Sequence, residues 1–440
     1  MSVVSKETPA RLRLWSFVVI VAGVALLAAT SVMMSRVQAQ VRTIGGDAAP
    51  QAATAADLYF ALSDMDAQVA RMVLVGDAAE LSGSQIDALG TYRGRSLQVD
   101  ADLQRSLTTA TGAAERAVVL ELLHHLAVYR QWVWQTLTAQ SQAPPGPPGR
   151  LPPDALGYYT QATNVLHLDL LPAAQRLRDA GEARLDRAYA DKRTTEIIGL
   201  ALASVLGTGL VVLLLVLQVW LARRFRRVFN PALAAATVLT LILIAAAGFV
   251  FVTQERTLGA ARDDSLRPYL ALSQARALSY DAAADTSRYL VSANLAYYRE
   301  DFTRKSQCLV RGGGCGIADG GLARVAAGRD VSPYRSRQVV DRWQAYRRGH
   351  ERIVALAGAG RTAAAIDTLT GIRRGDAAFD FSYFDAAVDE IATARRRDFD
   401  AAVRDCERLL AGWTVIPILL AGLVILLVPL GVRKRLAEYR

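Results

Sequence analysis

Two hydrophobic patterns alternate along the chain, and they predict different elements. The first is the uninterrupted apolar run: residues 14–34, 197–221, 232–252 and 409–432 contain no charged side chain. Each exceeds the roughly 20 residues that a helix needs to cross a hydrocarbon core of about 30 Å at about 1.5 Å per residue. Four membrane-spanning helices are predicted. The second pattern fills the long polar stretches at 35–196 and 253–408, where apolar residues recur every three or four positions. Leu58, Leu62, Met65, Val69 and Met72 form one such stripe, and Val119, Leu122, Leu126, Tyr129 and Val133 another. That spacing draws one apolar face along a helix and predicts core packing.

Turn signals divide these stretches. In the first, helices are predicted at 54–75, 84–110, 113–141 and 154–195, the first ended by Gly76-Asp77 and the last pair separated by a stiff Pro- and Gly-rich connector at 143–149. In the second, helices are predicted at 253–291, 297–306, 332–356, 362–372 and 376–408, the last carrying Phe381, Phe384, Val388 and Ile391. Ala61-Leu62-Ser63 and Leu74-Val75 recur as Ala277-Leu278-Ser279 and Leu290-Val291 at a constant offset of 216, which fits a duplicated unit of span, bundle and span. The expected fold class is an all-α membrane protein with four transmembrane helices and two extracytoplasmic helical-bundle domains in tandem.

Charge sets the expected orientation, because short Lys- and Arg-rich loops stay in the cytoplasm while long domains translocate regardless of charge. Lys6, Arg11 and Arg13 precede the first span, Arg223, Arg224, Arg226 and Arg227 lie between the second and third, and Arg433, Lys434, Arg435 and Arg440 follow the fourth. These fall on one side only if residues 1–13, 222–231 and 433–440 are cytoplasmic, leaving 35–196 and 253–408 outside. The expected location is the plasma membrane, multi-pass, with both termini inside. An uncleaved first span is expected, since it is longer than a signal h-region of about 7 to 15 residues; a small-residue exit at Val37 and Ala39 is the alternative cleavage signal. The net charge of +10 and pI near 9.7 would suggest nucleic acid in a soluble chain. Here the inner clusters account for much of that excess as lipid or cytoplasmic-partner contacts at Arg223, Arg224, Arg226, Arg227, Arg433, Lys434 and Arg435, and no nucleic acid is expected.

Candidate chemistry is sparse. The three cysteines, Cys308, Cys315 and Cys406, all fall in the second outer stretch. Cys308 and Cys315 flank a short glycine-rich loop and suit a local disulfide in an oxidising compartment; three separate thiols are the alternative. His124 and His125 point in different directions on a helix and lack a ligand at i+4, so no metal site is expected from them or from His167 and His350. No catalytic motif is present, so no enzyme, cofactor or catalytic residue is expected. Gly199, Ala203 and Gly207 form a small-residue face suited to packing within the chain. Pro172, Pro417 and Pro429 are candidate kinks. Asp64 and Asp66, with Trp132 and Trp134, are the remaining ligand candidates; the plainer expectation is that the aspartates cap or solvate a helix and one Trp enters the core.

Several short segments, in this order within this layout, resemble the actinobacterial GlnX-like membrane proteins: Ala61-Leu62-Ser63-Asp64, Leu170-Leu171-Pro172-Ala173-Ala174-Gln175-Arg176-Leu177, Ala183-Arg184-Leu185-Asp186, and the run from Arg223 to Pro231. The resemblance implies a signalling intermediary. Its expected partners are an extracytoplasmic lipoprotein that binds glutamate, aspartate or glutamine, and a cytoplasmic Ser/Thr kinase. Membrane lipid and a homodimer complete the expected partners. The docking surface is expected at the ends of the bundles, around Gly76 to Gly83 and Cys308 to Gly321. The alternatives are a direct small-molecule sensor with chemoreceptor-like bundles, or an envelope scaffold without signalling.

Overall fold

The computed structural model describes residues 7–144, 146–225, 230–328 and 331–436. Among them the regular structure is helical, with two isolated bridges and no strand. The helices are α1 (Glu7–Arg42), α2 (Ala49–Val75), α3 (Ser82–Thr109), α4 (Ala113–Gln142), α5 (Pro153–Val165), α6 (Leu171–Phe225), α7 (Pro231–Ala260), α8 (Arg267–Val291), α9 (Ala296–Arg311), α10 (Gly321–Val325), α11 (Pro333–Gly358), α12 (Thr362–Thr370), α13 (Ala377–Ala411) and α14 (Ile416–Leu436). Among the described residues four helical runs are long and apolar enough to cross a membrane: Arg13–Val75, Pro153–Arg223, Pro231–Val291 and Ala377–Gly431.

Those runs are longer than the spans because helix continues past the apolar segment. The π-helical segments Thr43–Ala48 and Ala261–Leu266 follow α1 and α7, and each leads into a helix with Pro in its first turn. Pro has no N–H to donate to the preceding turn, so it is accommodated where the helix changes its hydrogen-bond register. Pro417 acts in the same way: the 3-10 turn Gly412–Thr414 separates α13 from α14, and Pro417 follows in the first turn of α14. Pro172 likewise opens α6 directly after the π segment Leu166–Leu170, whereas Pro429 lies inside α14.

The chain forms two compact units. One, the span unit, comprises 1–46, 186–261 and 400–440. Its helices meet through small residues: a side chain at Gly207 would strike Ile244, and one at Gly199 would lie 3.4 Å from Met33. Gln218 donates to Thr237 Oγ1 at 2.9 Å, and Asn230 both caps α7 and donates to the Gly431 carbonyl at 3.0 Å. Such bonds satisfy polar groups that hydrocarbon would leave unpaired.

The other, the polar unit, comprises 47–185 and 262–399. The stretches expected as two bundles in tandem thus form one compact body. At its centre α2 and α8 run side by side in the same direction, since their partners climb together: Asp57 with Tyr269, Phe60 with Tyr280, Asp66 with Arg288. Both are buried around most of their circumference, not along one stripe. Their many alanines and serines make that possible, because small side chains let neighbours approach from every side. At Gly181 the approach is closest: a Cβ there would lie 3.2 Å from Ala52 Cα.

Candidate functional site

Burying α2 and α8 on all sides forces their polar residues to find partners within the protein, because an unpaired buried charge is costly. The result is a charged core assembled from both polar stretches. Arg288 of α8, 1 % exposed, donates from Nη1 to Asp285 at 2.6 Å and Asp281 at 3.1 Å, and from Nη2 to Asp66 of α2. Tyr129 of α4 also donates to Asp66, at 3.1 Å. Lys305 of α9 reaches Asp281 and Asp285 at 2.7 Å and Asp301 at 2.8 Å.

His167 joins from the π segment Leu166–Leu170. Its Nδ1 lies 2.9 Å from the Thr163 carbonyl and its Nε2 3.1 Å from an Asp281 carboxylate oxygen. Both partners are acceptors, so the ring that satisfies both is the doubly protonated imidazolium. Burial opposes that charge, but Asp281 outweighs it and raises the His167 pKa. Burial likewise works against ionised Asp281, and Lys305, His167 and Arg288 overcome it, holding that carboxyl well below its usual range. With His167 charged, the core sets four carboxylates (Asp66, Asp281, Asp285 and Asp301) against four cations: Arg288, Lys305, His167 and Arg304, which reaches Asp301 at 2.6 Å. Burial lifts the Asp285 carboxyl to about 6, against the pull of Lys305 and Arg288.

Beside this core lies a cleft of about 330 Å³, also lined by both stretches. Gln68, Arg71, Asp87 and Thr91 come from the first; Tyr280, Tyr346 and Phe381 supply aromatic walls from the second. Arg276 makes two bonds to Asp385, at 2.5 and 2.8 Å, and one to Asp389 at 2.5 Å. Its guanidinium also lies 4.3 Å over the Phe60 ring, and that ring takes Arg95 at 4.7 Å. Arg95 is held by Asp64 at 2.5 Å.

Asp64 and Asp66 are therefore buried ion-pair members and not solvated caps. Sequence periodicity placed α2's core on one stripe and so missed that its other faces are covered too. The tryptophans differ from expectation as well: Trp134 is 71 % exposed, and Trp132 is half-buried, stacked on Tyr158 with ring centres 5.8 Å apart. Arg288, Asp281, Asp285 and Lys305 were not singled out by sequence; the available signal was the acidic spacing Asp281 and Asp285 with Arg288 along one helix face.

Cys308 and Cys315 are bridged, and Cys406 is a buried free thiol. The bridged loop is tied back through Gln274, which donates to the Cys315 carbonyl at 3.2 Å and accepts from Arg178 of α6. It lies beside the first part of α8. The turn at Gly76, the other surface expected at a membrane-distal bundle end, lies where α2 ends. Arg223 is exposed. Arg226 and Arg227, and the side chains of Arg224, Arg433, Lys434 and Arg435, lie outside the described residues.

Residues 40–190 match the family model of the actinobacterial sensor domain. The match lies within the first polar stretch, 35–196, and it supports a sensing role. No curated protein and no solved structure matches the chain. The sensor-like stretch supplies Asp66, Tyr129 and His167 to the charged core, while Arg288 and Lys305 come from outside it.

Proposed function

We propose that the protein is a non-enzymatic transmembrane signal transducer of the plasma membrane, with both termini cytoplasmic and the polar unit outside. It registers extracytoplasmic glutamate, aspartate or glutamine through a docked substrate-binding lipoprotein and reports to a cytoplasmic Ser/Thr kinase. The observation that supports this reading is helix continuity: four helical runs each join an apolar span to the polar unit. A partner that prefers one packing of the polar unit can bias the spans, provided its affinity differs between states. The basic residues of the loop at 222–231 are the proposed contact for that kinase.

The test is phosphorylation of the kinase's substrate when amino acid is supplied. Deletion of the protein is expected to abolish the response, and so is replacement of Arg223, Arg224, Arg226 and Arg227 by Ala with correct insertion verified. An unchanged response after deletion would favour the scaffold reading. Direct sensing by the polar unit is a second reading, and the aromatic cleft favours it.

A further inference from the structure

The cleft between α2, α3, α8 and α13 has a chemistry of its own. Its volume of about 330 Å³ is at the lower end of the range for small-molecule sites, roughly 300 to 1,000 Å³. Its charged lining comprises three carboxylates, Asp87, Asp385 and Asp389, against two guanidiniums, Arg71 and Arg276. Both guanidiniums are engaged: Arg276 by Asp385 and Asp389, and Arg71 by Asp87 and Ser84 at 2.9 Å each. What the lining offers in excess is therefore negative charge and acceptors. Asp389 presents one of them, since its side chain is 52 % exposed and its Oδ1 is the oxygen that takes Arg276. The walls are aromatic, with Tyr280 edge-on to Phe381 at 4.8 Å between ring centres.

Acceptors in surplus, one uncompensated negative charge and aromatic faces together select a donor-bearing cation. We propose that this cleft binds a small organic primary ammonium ion, with its N–H groups directed at Asp389 and its carbon chain against Tyr280 and Phe381. A carboxylate ligand meets the wrong charge balance, and a quaternary ammonium ion has no N–H to give Asp389. The site is a direct input to the polar unit and does not rest on the lipoprotein-borne signal proposed above.

The test uses the full chain in detergent, titrated calorimetrically with 1,4-diaminobutane, tetramethylammonium, butyrate and glutamate. Saturable binding of the diamine is expected, with the other three at least tenfold weaker. Asp389→Asn, at a half-exposed position, is expected to weaken the diamine about 10- to 100-fold, as loss of a charge-assisted bond does. Phe381→Leu is a second variant that keeps every carboxylate and is also expected to weaken it. No saturable binding to a protein that still melts cooperatively would overturn the proposal, and so would equal binding of tetramethylammonium, butyrate or glutamate, or unchanged affinity in either variant. Those failures are separable from failure of the transducer reading, which is scored by kinase-substrate phosphorylation.

Discussion

Arg288 joins the two polar stretches more directly than any other charged side chain in the core, since one guanidinium bonds Asp66 of α2 and two aspartates of its own helix. Removing one member of a buried ion network strands the others without partners, which costs about 3 to 5 kcal/mol. Arg288→Ala should therefore lower thermal stability by that order, measured by circular dichroism of the intact chain. The same core makes stability depend on pH. His167 has its folded pKa raised above the free value of about 6.5, so its contribution is present below that pH and is lost as pH rises through the folded value. Asp285, lifted to about 6, keeps a proton that the unfolded chain releases near pH 4, so stability falls as pH rises across that window too. Asp281 has the opposite sign: it contributes above pH ~4 and loses its contribution as pH falls further. Below pH ~6.5 the buried His350, its pKa lowered to about 3 by burial, opposes Asp285; above it the melting temperature should decline as His167 loses its proton, and His167→Gln should remove that decline. A pH profile identical in the variant would exclude His167 as its source.

At the scale of elements, the bridged loop and the closest helix approach carry the clearest tests. The Cys308–Cys315 bridge closes a short loop, and replacing both cysteines by Ser should cost about 2 to 3 kcal/mol through loop entropy, read from the shift in unfolding midpoint. Gly181→Leu places a side chain against the Ala52 backbone and should cost about 1 to 3 kcal/mol by overpacking, whereas Gly83, with open space around it, should tolerate Ala. The helices themselves were largely legible: α3, α4, α9, α11, α12 and α13 begin near their expected starts, because turn residues and a 3.6-residue period mark them locally. The short α10 and the π segments were not legible. A π segment differs from its flanks by a single shifted hydrogen-bond register, and the residues of Thr43–Ala48 and Ala261–Leu266 share no composition that announces it.

For the molecule as a whole, the decisive relation was invisible to local pattern. Nothing in the periodicity of residues 47–185 shows that Asp66 meets Arg288, since the pairing spans 222 positions and two membrane-crossing runs. The aspartates were visible, and so was the repeated Ala-Leu-Ser motif; that both helices occupy one shared core was not. The shared core makes a prediction: residues 47–185 expressed without 262–399 should fail to melt cooperatively, because α2 would expose the face that carries Asp66. Co-expression of the two stretches should restore a cooperative transition, and a cooperative melt of the first stretch alone, at the temperature of the intact protein, would show that it folds independently.

The joint core also bears on how the protein is made. Synthesis runs from the N-terminus, so the stretch holding Asp66, Tyr129 and His167 emerges and must wait for the second hairpin of spans before Arg288 and Lys305 arrive. During that interval its carboxylates and apolar surface stand open to proteases and chaperones. A truncated chain, if its first stretch fails to fold alone as expected, should be degraded faster than the intact protein in a pulse-chase measurement.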